Sequence, residues 1–228
     1  MLFRSGLRSS GSGCGGGGLP CGPNQANNLL YAGRLTLNFL SPEENPGYYT
    51  AGTYYGKAGD ILALAGGFNF QAKGAGSFQH PSDLTIFTSD LLFEKVLPNA
   101  GVFTFNAEFK RYWADYASAA FTDPTPSVNN FAMFRGTSVT AYALYLLPDQ
   151  FGWGKLQPYG RYTYIDPQGS LVRKEYELGL NYVLKGFNSR VSAFWQYGDI
   201  NTKSLTNYAP SAAGEMVHRF VLAYQFQY

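Results

Sequence analysis

The strongest constraint on the fold is an alternation of apolar and polar residues with a period of two, clearest at the end of the chain. The apolar positions there are Phe220, Leu222, Tyr224, Phe226 and Tyr228. Successive side chains of a strand point to opposite faces of a sheet, so this pattern predicts a strand with one apolar face. A bilayer-spanning strand needs about ten residues and places aromatic rings at the headgroup level. The stretch favours a membrane strand; the alternative is an amphipathic strand of a soluble β-domain.

The same alternation recurs along residues 29–228 and predicts about nine strands. The predicted strands lie at 31–40, 62–71, 87–94, 103–110, 137–147, 156–164, 175–182, 190–197 and 219–228. The faces of the strand at 137–147 stay unassigned, because large apolar residues occupy both of them. No helical periodicity competes, so the fold class that we expect is all-β, an antiparallel transmembrane β-barrel.

The composition agrees with a membrane sheet and argues against other classes. Aromatic residues make up 17% of the chain and charged residues 14%, whereas soluble domains carry about 25% charged residues. The formal net charge of +2 is too small to indicate a nucleic-acid partner. No apolar run reaches the roughly eighteen residues of a transmembrane helix, so membrane spans would have to be strands.

Residues 1–28 form a separate low-complexity segment, which we expect to be disordered. The segment is rich in Ser and Gly and lacks the apolar stretch of a secretory signal. Cys14 and Cys21 are the only cysteines, and they could pair or stay free, but a metal site would need two more ligands.

The links between predicted strands differ in length in a way that suggests an orientation. Short links at 98–101, 150–154 and 186–188 fall at one end of the strands, and longer links at 73–83, 117–136 and 201–214 fall at the other. Membrane barrels have short periplasmic turns and longer outer loops, so the first end is expected to be periplasmic. Two links break this rule, a long one at 41–60 and a short one at 166–170.

Charged residues also sort between the two predicted faces. On the apolar face the charges are Lys95, Arg111 and Lys174, each near a strand end from which a long side chain can reach the headgroups. The predicted pore-lining charges on the other face are Arg34, Asp90, Glu94, Glu108, Lys110, Arg161, Glu175, Glu177, Arg190 and Arg219. Positive and negative residues are equal in number there, so the face is polar and mixed.

An enzyme is not indicated. His80 and His218 have no Cys, Ser or carboxylate at a spacing that suggests a catalytic triad or a zinc site. Glu175 and Glu177 share a face, but wall carboxylates of a water-filled lumen explain them more simply than an acid–base pair. We therefore predict no catalytic residue, no metal site and no cofactor.

Several stretches resemble strands of Gram-negative porins. They are residues 33–39, 156–163, 176–182 and the closing strand. The chain is most similar to the C-terminal part of the phosphate-selective porin O and P family, taken broadly. The resemblance implies an outer-membrane barrel of about sixteen strands, assembled as a homotrimer, which passes small anions along lumen arginines. It also implies that Phe220, Leu222, Tyr224, Phe226 and Tyr228 form the signal read by the barrel-assembly machinery.

The odd number of predicted strands determines whether they can close into a barrel. In a run of about nine antiparallel strands the first and last point the same way, so they cannot close as bacterial barrels do. We expect a fragment that lacks roughly seven strands of a porin. The leading hypothesis for function is passive diffusion of small hydrophilic solutes, with anions such as phosphate preferred. The alternatives are a soluble or secreted β-barrel that binds a ligand, and an outer-membrane barrel with a structural or adhesive role.

Overall fold

The structure, a computed structural model, describes residues 2–3, 28–42, 53–76, 81–114, 135–168, 171–199 and 216–226. All of its regular elements are strands. They are β1 (Leu2–Phe3), β2 (Leu30–Asn38), β3 (Ile61–Gly76), β4 (Pro81–Val96), β5 (Val102–Ala114), β6 (Gly136–Leu146), β7 (Gln150–Phe151), β8 (Gly154–Pro167), β9 (Arg173–Val183), β10 (Ser189–Gly198) and β11 (Val217–Phe226). No helix among these residues is long and apolar enough to cross a membrane.

The strands form one antiparallel sheet in which sequence neighbours are also spatial neighbours. The order is β1-β2-β3-β4-β5-β6-β8-β9-β10-β11, and the two-residue strand β7 pairs with β8. The nine predicted strands are all present as β2 to β6 and β8 to β11, which confirms the all-β prediction. The two short strands β1 and β7 were not predicted, because two residues are too few to show an alternation.

The sheet is not closed into a barrel, which differs from the expected fold. The outermost long strands β2 and β11 are not paired with each other. The physical reason is strand parity: nine alternating long strands leave the first and last parallel, so no antiparallel ladder can join them. The coarse fold is therefore an open antiparallel sheet.

The two faces of the sheet differ as the alternation predicts. On β11 the apolar face is exposed, with 81% of Phe220 and 78% of Leu222 accessible. Along β9 buried and exposed residues alternate in nearly every position. We call the face that carries the exposed apolar residues the outer face and the other the inner face.

Register assigns the faces of β6, which the sequence left open. Tyr142 lies between Asn106 on β5 and Arg161 on β8. Both neighbours belong to the inner face, and the side chains of two directly opposite residues on paired strands always point to the same face of the sheet. Tyr142, Leu144 and Leu146 are thus inner, and Leu144 and Leu146 are both 5% exposed.

The segment 53–60, which links β2 to β3, crosses the inner face and shows that the sheet is curved. Tyr54 packs against Ile61 and Leu92 on β3 and β4, and also against Phe187 after β9. In a flat sheet β4 and β9 would be about 19 Å apart, since four strand spacings separate them. One tyrosine can contact both sides only because the sheet wraps around the segment.

The links agree in part with the predicted lengths. The turn at 98–101 is tight, with Leu97 N donating to Gly101 O at 2.8 Å and Ala100 at a φ of 60°. The predicted long link at 73–83 is wrong, because β3 and β4 continue to Gly76 and Pro81 past a register shift after Gln71. Residues 117–134 and 201–214 lie outside the described part of the chain, as do Cys14 and Cys21.

The backbone conformation at position 136, at the start of β6, requires a glycine. Its φ is +150°, and an added Cβ would overlap the carbonyl oxygen of Asp166 on β8. We expect Gly136→Ala to lower the free energy of unfolding by about 1–3 kcal/mol through backbone strain. Denaturant-induced unfolding measures this change.

The control is Gly66→Ala in β3, where the nearest atom to an added Cβ is 4.0 Å away. This substitution should leave the unfolding midpoint unchanged or raise it, because it removes freedom from the unfolded chain only. Equal losses in both variants would contradict the tight β6–β8 contact.

Candidate functional site

A fully buried carboxylate anchors the segment 53–60 to the inner face. Glu94 on β4 is 0% exposed. Its Oε2 accepts hydrogen bonds from Thr53 Oγ1 at 2.9 Å, the Tyr54 backbone N–H at 2.9 Å and Thr104 Oγ1 at 2.8 Å. Its Oε1 accepts one from the Gly56 N–H at 2.7 Å. Four donors thus compensate the burial of the carboxylate.

The backbone of the segment is shaped for this role. Tyr55 has a φ of 55° and Gly56 a φ of 75°, both in the left-handed region. Successive N–H groups in such a turn converge on one side and make a concavity that binds an anion. Here the anion is the Glu94 side chain, so the turn and the carboxylate stabilise each other.

Apolar contacts flank the anchor on both sides. Tyr55 packs against a cluster made by Val102, Leu146 and Val183 from three strands. Its ring lies 5.4 Å from that of Phe187. Burial raises the pKa of Tyr55 above its usual value of 10.0, although the nearby guanidinium of Arg190 lowers it again in part.

Lys57 connects the segment 53–60 to the turn after β9. Its ammonium nitrogen lies 5.0 Å from the centre of the Phe187 ring, a cation–π contact. The segment therefore reaches from β4 to the turn after β9 and covers the inner face at the end where the short turns lie.

Two predicted pore-lining residues, Arg34 and Asp90, form a bidentate ion pair across β3. The two guanidinium nitrogens lie 2.7 and 2.8 Å from the carboxylate oxygens. Gly67 lies opposite Arg34 on the strand between them, and a Cβ there would approach Thr88 Oγ1 to 2.8 Å. The missing side chain therefore leaves room for the Thr88 hydroxyl beside the backbone of β3.

A second group of predicted residues forms a cluster on β8 to β10. Arg161 donates from Nη2 to Glu175 at 3.2 Å and also to Glu177. Gln196 donates to Glu177 at 2.6 Å and to Glu175 at 3.3 Å. Both carboxylates are less than a tenth exposed, and Arg161 forms ion pairs with both of them.

The other predicted wall charges are dispersed. Lys110 and Glu108 pair along β5 at 2.6 Å. Arg190 donates to Gln225 at 2.8 Å, and Arg219 lies opposite Gln196 on the same face. The inner face therefore carries separate ion pairs and no single charged ring among the described residues.

The predicted assembly-signal residues Phe220, Leu222, Tyr224 and Phe226 form one exposed row on β11, and Tyr228 lies outside the described residues. At the other end of the row, His218 stacks on Tyr197 at 4.6 Å. His80 also lies outside the described part, and no metal-binding cluster occurs among the residues that the structure describes.

Reasoning from the sequence missed the segment 53–60 and the partners of Glu94. It placed Glu94 in the wall, but it had no means of detecting that a link folds back over that residue. The signal that was present is the length of link 41–60, which broke the rule for short turns at this end.

Comparison with protein-family models, with curated proteins and with solved structures finds no match in any of the three. The class of the protein that the fold and the site define is therefore a structural one: an open, curved antiparallel sheet with an apolar outer face and a polar, ion-paired inner face crossed by an anchored segment.

Removing the anchor should release the segment. Glu94→Ala removes the acceptor of the Tyr54 and Gly56 N–H groups and leaves the Thr53 and Thr104 hydroxyls only each other, which we expect to lower the free energy of unfolding by about 3 kcal/mol. Trypsin should also cleave after the exposed Lys57 several-fold faster than in the unmodified protein.

Glu108→Ala is the matched control, because Glu108 is an acidic inner-face residue whose side chain is 47% exposed and paired with Lys110. A surface ion pair contributes about 0–1 kcal/mol, so both readouts should stay near those of the unmodified protein. Unchanged cleavage in Glu94→Ala would refute the anchor.

Proposed function

We propose that the sheet forms part of the wall of an outer-membrane channel through which small hydrophilic solutes diffuse passively. The single observation that supports this most is the sorting of the two faces. Exposed large apolar side chains occupy the outer face of β2, β3, β9 and β11, while ion pairs and buried polar groups occupy the inner face.

This distribution fits lipid on one side and water on the other. A soluble sheet buries its apolar face against a second layer, because exposed apolar patches larger than a few hundred Å² are rare in monomers. Among the described residues no second layer covers the outer face, and Leu35 and Leu178 are 68% and 60% exposed. Lipid tails would cover these side chains at no desolvation cost.

The resemblance to phosphate-selective porins gives this proposal its biological setting. The edge of β11, and the edge of β2 beyond its two-residue pairing with β1, would pair with further strands to complete the ring, since an unpaired edge cannot be accommodated in a bilayer. We expect assembly through the barrel-assembly machinery and a homotrimer in the outer membrane. The balanced ion pairs of the inner face argue for broad passage of hydrophilic solutes more than for phosphate selectivity.

The anchored segment 53–60 would be the narrow part of this channel. It lies on the inner face near the end with the short turns and is held there by Glu94. Transport would need neither covalent chemistry nor energy coupling; the barrier would be set by the width of the passage and by the charges beside it.

A substitution on β11 distinguishes lipid from water at the outer face. Leu222 is outer and exposed, and its neighbour Ala223 is inner and also exposed. An arginine on a lipid-facing site near the midplane costs about 2–4 kcal/mol, whereas a water-facing arginine costs little. We expect Leu222→Arg to reduce folding into lipid vesicles strongly, and Ala223→Arg to have a small effect.

The alternative of a soluble or secreted ligand-binding protein makes the opposite prediction. If both faces of β11 met water, the two arginine variants would behave alike, and the protein would stay folded without detergent. Vesicle-folding yield, followed by the shift in gel mobility on heating, measures the difference.

Conductance separates a channel from a barrel with a structural or adhesive role. The sheet together with the further strands that complete its ring, purified in detergent and added to a planar bilayer, should produce discrete current steps. Glu94→Ala should give larger steps than the unmodified protein, because the released segment no longer narrows the passage, and Glu108→Ala should match the unmodified protein. A silent bilayer at several protein concentrations would reject the diffusion function.

A further inference from the structure

An aromatic platform interrupts the polar inner face next to the Arg161 cluster. The Tyr159 ring covers Gly179 on the neighbouring strand, since a Cβ added to this glycine would overlap the ring. The Tyr159 hydroxyl donates to Glu177 at 2.8 Å, which fixes the ring in place. Phe194 lies opposite Gly179 on its other side. Two aromatic side chains thus flank one glycine beside the polar side chains of the Arg161 cluster.

The platform forms part of a pocket of about 380 Å³ on the inner face. Tyr142 adds a third ring to its lining, and Asn181, Ser192 and Gln196 add amide and hydroxyl groups. Those three polar side chains are less than a tenth exposed and are held by neighbours, as in the 2.7 Å hydrogen bond from Ser192 to Asn181. The pocket therefore combines aromatic surfaces with polar groups of fixed orientation, which is typical of small-molecule sites.

The charge of the pocket and the groups directly beside it is balanced. Arg161 and Glu177 line the pocket, and Glu175, which is not part of the lining, forms an ion pair with Arg161, so these three groups together carry a net negative charge. Arg190 supplies the compensating positive charge, and its contacts in the described part of the chain are the neutral side chains of Gln225 and Tyr55. A balanced set of this kind gives no electrostatic advantage to an anion, because two carboxylates lie beside the two guanidinium groups.

We infer that this pocket is a subsite for a neutral saccharide. A sugar ring has apolar C–H faces that pack on aromatic rings, and its hydroxyl groups both donate and accept hydrogen bonds. Tyr159 and Phe194 match the faces, while guanidinium, amide and carboxylate groups match the hydroxyls. The inference depends on the proposed function only because the inner face must be the side that meets water.

The experiment measures saccharide binding without requiring transport. Saturation-transfer NMR with maltose as the probe is applied to the full chain folded in detergent. We expect transfer to the C–H protons of the sugar in the unmodified protein. Gly179→Ala pushes the Tyr159 ring off its position and should weaken binding at least tenfold. Tyr159→Leu, which removes the ring without touching the glycine, should do the same if Gly179→Ala fails to fold.

Gly160→Ala is the matched control. Gly160 is also a strand glycine beside this cluster, but it lies on the outer face, where the atom nearest to an added Cβ is the flexible end of Leu178 at 3.3 Å and the Glu177 backbone oxygen lies at an ordinary 3.9 Å. The maltose signals of Gly160→Ala should equal those of the unmodified protein. A loss as large in Gly160→Ala as in Gly179→Ala would overturn the subsite.

Inorganic phosphate is the competing probe. We expect millimolar phosphate to leave the maltose signals unchanged; displacement of maltose by phosphate would overturn the assignment of a neutral solute. Current steps in the bilayer without any maltose signal would refute the subsite and leave the channel function standing. Maltose signals without current steps would refute the channel function and leave the subsite standing.

Discussion

The pleat of the β-strand is the constraint on which the rest of the structure depends. Because adjacent side chains point to opposite faces, each of the long strands must satisfy two environments at once. In this protein one environment takes exposed rings and aliphatic side chains, and the other takes ion pairs and amides together with the apolar side chains that segment 53–60 buries. Each cross-strand neighbour must keep the same assignment, so one wrong register would move every side chain of that strand to the other face.

Glu94 shows how a charged residue of the inner face becomes structural. A buried carboxylate is costly unless several donors surround it, and the four donors here come from one strand and a link. The link can provide them because its left-handed turn directs N–H groups to one point. The same contacts hold the segment across the sheet, so the width of the inner space and the burial of one acid are coupled.

The arrangement of charges on the inner face has consequences for the choice of solute. Arg34 with Asp90, and Arg161 with Glu175 and Glu177, are neutralised locally. What remains distinctive is the aromatic pair Tyr159 and Phe194, on a face where the pattern calls for polar residues. These features are the basis for proposing a polyhydroxylated solute in place of the phosphate that the family resemblance implies.

The sequence by itself determined the strands, their order along an antiparallel sheet and the residues on each face, because the period of two is local and needs no partner to be seen. The sequence did not assign the two faces of β6, since Tyr142 and Val139 lie on opposite faces and either could belong to the apolar one. Only the register with β5 and β8 assigned them. The odd number of strands already argued against closure, whereas the tertiary structure alone decided that link 53–60 folds inward onto Glu94 and that the Tyr159 ring covers Gly179. These depend on contacts between residues far apart in the chain, which no local pattern encodes.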